Sequence, residues 1–358
     1  MERTAYLVLE NGKTFKGKSF GVAGKVTAEV VFFTGMVGYS AVLTDKSYRG
    51  KMVVQTFPML GNYGVISSDF EGGIIAPAAY IVKSWCQLPS NFRSEGDLDT
   101  FFKEKGVIGL CDIDTRSLTE ILRENGTMNA VITDDPDSVD LEALKSFKAD
   151  CSLKDASVSE PTVYPAEQKK LRVVIPDYGC KKSIIGKLNA RGCEVVLVSS
   201  ECSAECIMSH NPDGILLPGG PGDPRDCNAQ VDTIKELINN NIPIFAIGLG
   251  HQLLALANGM TIEKHKHGHH GSNQPVKNTS DNTIAITYQS HCYIVSKDSI
   301  DQAVAKESFI NVNDGTCEGL NYKNIPAVSV QFYPDAGGGN NNTEWLYDNF
   351  ITMMEEEK

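Results

Sequence analysis

The chain has 358 residues, which is enough for about two domains of ordinary size. Its 41% hydrophobic and 22% charged residues are typical of a soluble globular protein. The net charge of −12 disfavours nucleic acid or a membrane surface as a partner, because both require clustered positive charge. No signal-peptide pattern and no membrane-spanning apolar run is evident, and the ten cysteines are scattered, so we expect a cytoplasmic protein with reduced thiols.

The first part of the chain is rich in strand-forming patterns. Residues 5–20 alternate apolar and polar side chains around a central Asn-Gly pair, which predicts a β-hairpin. In 112–126 the pattern changes to a helical one, where Asp114 or Thr115 can cap the helix and a glycine ends it. Residues 1–150 are therefore predicted to form a strand-rich α/β domain.

The second part of the chain has a different pattern of predicted elements. Residues 151–170 are polar and contain two prolines, which predicts a linker. In 171–358 apolar strands alternate with helices, which predicts a central, mostly parallel sheet with right-handed crossovers. Ligands bind such sheets beyond the carboxyl ends of the strands. The Gly-Gly-Pro-Gly segment 219–222 follows one strand and Gly248 follows another, so we expect them side by side.

The stretch FAIGLGHQLLALANG, residues 245–259, predicts a strand that turns sharply into a helix. This is the layout of a nucleophile elbow, in which a Cys or Ser is exposed at the tip of the turn. The tip here is Gly248, which has no side chain. Backbone N–H groups at the following helix start could still interact with an anion.

Several motifs together resemble those of class I glutamine amidotransferases: GGPGDP, GHQLLALA, GHHGSNQPVK and QSH. Four segments of the first half, EVVFFTGMVGYSAVLTDKSY, GNYGV, SNFR and DIDTRSLTEILRENG, are similar to the amino-terminal domain of carbamoyl phosphate synthetase small subunits. The resemblance spans nearly the whole chain. It implies a small subunit that acts in pyrimidine or arginine biosynthesis and partners a large subunit. That large subunit would use ATP and bicarbonate, and no cofactor or metal is expected in this chain.

The resemblance also shows where this sequence departs from the family. In the family an elbow Cys attacks the carboxamide of glutamine, and a His oriented by a Glu acts as general base. The matching positions are Gly248, Tyr333 and Asp335. The tyrosine phenol has a reference pKa of about 10, so tyrosine is a poor base at neutral pH. We therefore expect glutamine hydrolysis by this chain to be lost or severely impaired.

The glutamine pocket of the family also maps onto this chain, with changes. The Asn-His-Gly-Phe of that pocket is replaced by Ser-His-Cys-Tyr at 290–293. The positions that match substrate-binding residues are Ser47, Gly220, Gly222, Leu249, Gln252, Ser290, Cys292 and Tyr293.

Two other functions stay open at this stage. Cys292 beside His291 could replace the missing nucleophile, although adjacent residues of a strand point to opposite faces. Alternatively, the chain could be a stand-alone ligand-binding protein without a synthetase. The histidine-rich segment 265–270 suggests a metal site, but we interpret it as a structural hairpin because the family has a similar one without metal.

Overall fold

The computed structural model describes residues 3–335 and 342–357. The chain forms two compact units, which are described separately. The first comprises Met1–Asp150 together with Lys266–His270, and the second comprises Cys151–His265 together with Gly271–Lys358. No helix in the two described ranges has the length and apolar character needed to cross a membrane.

The first unit combines short strands with four helices in its described residues. In chain order they are β1 (Arg3–Leu9), β2 (Thr14–Gly21), β3 (Val26–Phe33), α1 (Tyr39–Thr44), β4 (Lys51–Gln55), β5 (Met59–Leu60), β6 (Ala79–Ile81), β7 (Ser84–Trp85), α2 (Leu98–Lys105), β8 (Ile108–Cys111), α3 (Thr115–Asn125), β9 (Met128–Thr133) and α4 (Leu141–Lys145). A closed barrel has the strand order β1-β2-β8-β6-β4-β3-β9, while β5 and β7 pair separately. The predicted strand-rich α/β character is confirmed.

Two local predictions in this unit are confirmed. Strands β1 and β2 form the antiparallel hairpin, with a positive φ of 84° at Gly12 in the turn. Helix α3 begins after Asp114, whose carboxylate accepts a hydrogen bond from the Ser117 amide at 3.0 Å. Its Leu118 and Leu122 are fully buried in the same apolar cluster as the barrel strands. The cap and this apolar face explain why the segment is helical.

The second unit is a layered α/β structure. Its elements are α5 (Leu153–Ala156), β10 (Thr162–Tyr164), β11 (Leu171–Asp177), α6 (Lys182–Ala190), β12 (Cys193–Ser199), α7 (Ala204–Ser209), β13 (Gly214–Leu217), α8 (Asn228–Ile238), β14 (Ile244–Ile247), α9 (Leu249–Ala257), β15 (Ile262–Asn278), β16 (Ile284–Val295), β17 (Ala305–Asn311), β18 (Cys317–Tyr322), β19 (Ala327–Val330) and α10 (Trp345–Glu356). The sheet order is β10-β12-β11-β13-β14-β19-β18-β17-β15-β16.

The centre of this sheet is parallel, as predicted. Strands β12, β11, β13, β14 and β19 run parallel to one another. The flanks differ, because β10 and the group β18, β17 and β15 pair antiparallel. The histidine-rich segment 265–270 lies in β15, although Lys266–His270 of this strand are grouped with the first unit. Strand β15 is connected to β16 by a turn in which the Asn278 amide donates to the Thr283 carbonyl at 2.9 Å. The predicted hairpin is therefore present.

The segment predicted to be a linker, 151–170, carries regular structure. It holds helix α5 and strand β10, which pairs with β12 from Thr162 to Tyr164 and so extends the sheet of the second unit. A three-residue edge strand is too short to show a periodic pattern in the sequence. Its two prolines lie outside the paired residues, where they cost no ladder hydrogen bond.

Three strand ends meet at one edge of the parallel centre. Strand β14 lies between β13 and β19, and its register pairs Leu217 with Ala246 and Ile247 with Val330. The chain segments that follow these three strands are therefore neighbours. They are the loop from Pro218, the turn at Gly248 and the segment from Gln331.

Replacing Asp114 with Ala tests the capping of helix α3. The variant loses the hydrogen bond to the Ser117 amide, and we expect the free energy of unfolding to fall by about 1 kcal/mol in urea titrations. Glu124→Ala, on the exposed side of the same helix, is the matched control and should change it by less than about 0.5 kcal/mol. Equal effects of the two variants would show that the cap does not stabilise the helix.

Candidate functional site

The turn between β14 and α9 has the geometry of an elbow. Gly248 has φ 58° and ψ −114°, a combination that side-chain-bearing residues rarely adopt. Its amide donates to the Val330 carbonyl at 2.9 Å, and its carbonyl accepts from the Gln252 amide at 3.2 Å. The turn is thus fixed to β19 on one side and continues directly into the first turn of α9.

The neighbouring glycine loop is joined to the elbow by a backbone contact. The Gly250 amide donates to the Pro218 carbonyl at 3.0 Å. A Cβ at Gly250 would lie 2.2 Å from the Leu217 carbonyl oxygen, so that position has room for glycine alone. The close approach of these two segments brings Gly219 within 3.4 Å of the point where a Cβ on Gly248 would be.

The space in front of the elbow tip contains the hydroxyl of Tyr333. This oxygen lies 3.6 Å from the position of a Cβ on Gly248. It also lies 2.0 Å from the position of a Cβ on Gly219, so it occupies the volume that a side chain at 219 would need. The predicted triad positions Gly248 and Tyr333 are thus brought together, and the phenol contacts the glycine loop.

A lysine and a second tyrosine hold Tyr333 in this place. The Tyr333 amide donates to the Tyr288 carbonyl at 3.0 Å, and the two rings meet edge to face with centroids 5.7 Å apart. The Lys181 ammonium is buried and lies 3.4 Å from the Tyr333 ring centroid and 4.1 Å from that of Tyr288. A desolvated cation over an aromatic face is worth about 2 kcal/mol, so this arrangement fixes the phenol.

Asp335 is hydrogen-bonded to helix α10. It is buried, and its carboxylate accepts a hydrogen bond from the Tyr347 hydroxyl of α10 at 3.2 Å. The preceding residue, Pro334, accepts a hydrogen bond from the Thr343 hydroxyl through its carbonyl at 3.1 Å. These two hydrogen bonds join the segment after β19 to helix α10 and to Thr343, which precedes that helix.

The predicted pocket residues of the second unit lie in two places, around the glycine loop and on strand β16. In the glycine loop, a Cβ at Gly220 would lie 2.2 Å from the Tyr178 carbonyl oxygen and 3.0 Å from Leu249, so Gly220 and Leu249 are in contact. Gly222 lies against Cys151, whose carbonyl would be 3.1 Å from a Cβ there. Ser290 and Cys292 are buried on β16.

The side chain of Gln252 is directed toward the protein. Its amide nitrogen donates to the Tyr293 carbonyl at 2.7 Å and to the Gln331 side-chain oxygen at 2.9 Å. Beside Tyr293 lie Arg225, 5.3 Å from the ring centroid, and Asp223. Burial favours a higher pKa for Asp223, but hydrogen bonds from Arg225 and Tyr293 outweigh it and hold that pKa below the usual value.

Ser47 is the predicted pocket residue that belongs to the first unit. It is buried in a short helical turn, where its amide donates to the Asp45 carboxylate at 2.9 Å.

His291, the residue next to Cys292, has both ring nitrogens close to oxygen atoms of the protein. His291 Nδ1 lies 2.9 Å from the Tyr293 carbonyl oxygen, and Nε2 lies 2.9 Å from the side-chain oxygen of Gln289. The Gln289 nitrogen donates to the buried Glu318 carboxylate at 3.0 Å, which fixes the orientation of the amide. Both ring nitrogens therefore lie within hydrogen-bonding distance of an oxygen atom. This arrangement disfavours a nucleophilic role for Cys292.

His251 is also unsuited to the role of base. The residue follows the elbow by three positions and is completely buried, with Nδ1 2.7 Å from the Ser329 hydroxyl oxygen. Burial lowers the pKa of His251 to about 3, because the charged ring is poorly solvated. It therefore packs as a neutral side chain behind the turn.

Two sequence families match the chain. The family described as carbamoyl-phosphate synthase small chain, CPSase domain, matches residues 7–132, and the class I glutamine amidotransferase family matches residues 174–353. The latter match, together with the parallel sheet and the elbow, defines the second half of the chain as a class I glutamine amidotransferase domain. A crystal structure of a glutamine amidotransferase from Thermotoga maritima aligns at 16% identity with a TM-score of 0.40, covering 52% of this chain and 85% of that one.

Known relatives match over the full length. Carbamoyl phosphate synthase small chains of Bacillus caldolyticus and Chlorobaculum tepidum are 41% and 42% identical, covering 98% and 100% of this chain and 96% and 99% of their own. The pyrimidine-specific small chain of Bacillus subtilis is 41% identical and covers 98% of this chain and 95% of its own. This chain therefore belongs to the carbamoyl phosphate synthase small chain family, which confirms the predicted resemblance.

The sequence interpretation missed the residues that hold Tyr333. Lys181 follows the carboxyl end of β11, and Tyr288 lies in β16, far from it in the sequence. The position of Lys181 at a strand end was a usable signal, because side chains there line the ligand edge of a parallel sheet. The contribution of Tyr288 depends on the antiparallel flank, which the sequence did not predict.

A glycine-to-alanine pair tests the elbow. Gly248→Ala should lower the free energy of unfolding by about 1–3 kcal/mol, because its backbone is strained for an L-residue although a Cβ has room. Gly186→Ala, in helix α6 with nothing within 4 Å of the new Cβ, is the control and should be neutral or stabilising. Urea unfolding measures both, and a Gly248→Ala protein as stable as the parent would contradict the assigned geometry.

Proposed function

We propose that this chain is the small subunit of a carbamoyl phosphate synthase that has lost its own glutamine hydrolysis. The family membership and the names of its full-length relatives support the subunit role. Those names imply a large subunit as partner, and we propose that such a partner exists for this chain. One relative is named pyrimidine-specific, which favours the pyrimidine pathway over arginine synthesis.

The observation that carries the loss of hydrolysis is the position of the Tyr333 hydroxyl. It lies against Gly219 and faces the elbow tip at Gly248. A carboxamide would have to enter this same space to be attacked from the elbow. Because Lys181 and Tyr288 hold the ring, the phenol blocks that approach. The predicted triad positions Gly248, Tyr333 and Asp335 are therefore proposed to be non-functional.

The chemistry of hydrolysis would also be missing its main groups. Attack on an amide needs a nucleophile, a base to take its proton and an acid to protonate the departing ammonia. Glycine provides no nucleophile, and a phenol is a poorer general base at neutral pH than the imidazole that it replaces. In a protease triad, loss of the nucleophile costs about 10⁶ in kcat. Proximity alone would leave a negligible rate.

The rest of the predicted pocket supports the same proposal. The Gln252 side-chain nitrogen is already bonded to Tyr293 and Gln331, and Ser290 and Cys292 replace an amide and a glycine of the family pattern. We propose that glutamine binds weakly or not at all. The large subunit would then use ammonia from solution with ATP and bicarbonate, and this chain would contribute no cofactor.

Two assays separate this proposal from a working glutaminase. The purified chain, with its large subunit, would be supplied with ATP, bicarbonate and either ammonium or glutamine. We expect carbamoyl phosphate from ammonium, and glutamate release from glutamine no faster than in a control without the chain. Glutamate release at tens per second, within the range of ordinary enzymes, would refute the loss of function.

Restoring the triad positions provides a matched series. Gly248→Cys alone should remain inactive, because Tyr333 cannot serve as base and its hydroxyl would lie against the new side chain. Adding Tyr333→His and Asp335→Glu should raise glutamate release at least about tenfold over Gly248→Cys, since a positioned base contributes about 10²–10⁴. Full rescue by Gly248→Cys alone would show that the tyrosine does not block the site.

Co-purification tests the subunit role itself. A tagged chain should retain a large synthetase subunit through gel filtration. If the chain instead stays monodisperse alone while the large subunit elutes separately at micromolar concentrations, the stand-alone ligand-binding alternative is favoured.

A further inference from the structure

Two cysteine thiols lie in contact on the second unit, apart from the elbow. Cys202, in the loop between β12 and α7, and Cys206, in the first turn of α7, have sulfur atoms 2.6 Å apart. Both residues are partly exposed. A disulfide bond measures about 2.05 Å, so the sulfurs need to approach by only about 0.5 Å to be bonded.

The backbone around the pair explains this contact. The Ser203 hydroxyl oxygen caps α7 by accepting a hydrogen bond from the Cys206 amide at 3.2 Å. The Cys202 amide donates to the Ser199 carbonyl at 3.1 Å. Each thiol is therefore attached to a hydrogen-bonded turn, and the two turns adjoin at Ser203. The contact follows from the local fold and needs no rearrangement of the sheet.

We propose that Cys202 and Cys206 form a redox-active dithiol site that is oxidised to an intramolecular disulfide by low-molecular-weight disulfides such as glutathione disulfide. The site is independent of the proposed glutaminase loss, because neither thiol belongs to the elbow or to the predicted pocket.

The reaction is a pair of thiol–disulfide exchanges. One protein thiolate attacks a sulfur of glutathione disulfide, forming a mixed disulfide and releasing one glutathione thiolate. The second protein thiol then loses its proton and attacks the mixed disulfide, which forms the Cys202–Cys206 bond and releases a second glutathione. Two protein thiols are oxidised, and one glutathione disulfide is reduced to two glutathione molecules.

The surroundings of Cys202 affect its reactivity. Burial, the hydrogen bond with Cys206 and repulsion from that thiol raise the pKa of Cys202 to about 11. Cys202 is therefore less readily ionised at neutral pH than an ordinary exposed thiol, and it attacks a disulfide more slowly than such a thiol.

The disulfide would stiffen a loop that connects several elements. The Ser200 carbonyl, two residues before Cys202, accepts from the Gln230 side chain of α8 at 3.2 Å, and its amide donates to the Ser157 hydroxyl oxygen at 2.9 Å. The new bond closes a five-residue ring from 202 to 206, which joins this loop covalently to α7. The covalent change is confined to the outer layer of the second unit.

The test counts free thiols in the intact, folded chain. After incubation with glutathione disulfide at neutral pH, acid quenching and alkylation in denaturant, the oxidised protein should carry two fewer alkyl groups than the ten added to the reduced protein. Its mass should show no bound glutathione, and dithiothreitol should restore all ten alkyl groups. Retention of ten groups, or only glutathione adducts, would overturn the proposal.

Serine variants identify the residues. Cys202→Ser and Cys206→Ser should each leave one thiol that can carry a single glutathione, and neither variant should form the intramolecular bond. Cys86→Ser, which replaces a comparably exposed thiol of the first unit, is the control and should still form the disulfide. Loss of two thiols in the Cys202→Ser/Cys206→Ser double variant would assign the reaction to other cysteines.

Discussion

The arrangement of the candidate site depends on the hydrogen-bonded register of one central strand. Strand β14 is paired in parallel with β13 on one side and β19 on the other. Because all three strands end at the same edge, the glycine loop, the elbow at Gly248 and the segment containing Tyr333 are forced into contact. A shift of one residue in either ladder would turn alternate side chains to the opposite face and separate these groups.

Within this frame the residues at the elbow fit one another sterically. The hydroxyl of Tyr333 occupies volume that a side chain at Gly219 would need, and it faces a tip residue that has no side chain. A bulky phenol is therefore accommodated by glycines on both sides. The buried Lys181 ammonium over the ring adds an attraction that an aliphatic side chain at 333 would not provide. Gly219, Gly248, Tyr333 and Lys181 therefore form one packed group.

The sequence predicted the parts of the fold that have strong local signals. The β1–β2 hairpin follows from its Asn-Gly turn, helix α3 from its Asp114 cap and apolar face, and the elbow from glycines between an apolar strand and a helix. Strand β10 was missed because three residues carry no periodicity. The antiparallel flank joins strands that are close in sequence, such as β17 with β18 and β18 with β19, but the bridge between Tyr288 and Tyr333 joins residues far apart in the chain, so no local pattern indicated the contribution of Tyr288.

The sequence by itself determined that the elbow has no nucleophile, because the residue at 248 is read directly. It also determined the family, because ordered motifs along a chain do not depend on knowing the fold. Only the tertiary structure decided how Tyr333 and Asp335 are held. The position of the Tyr333 hydroxyl against Gly219, the cation above its ring and the Tyr347 hydrogen bond to Asp335 are contacts between segments up to about 150 residues apart. Such contacts are set by strand register and packing, which no local pattern of residues specifies.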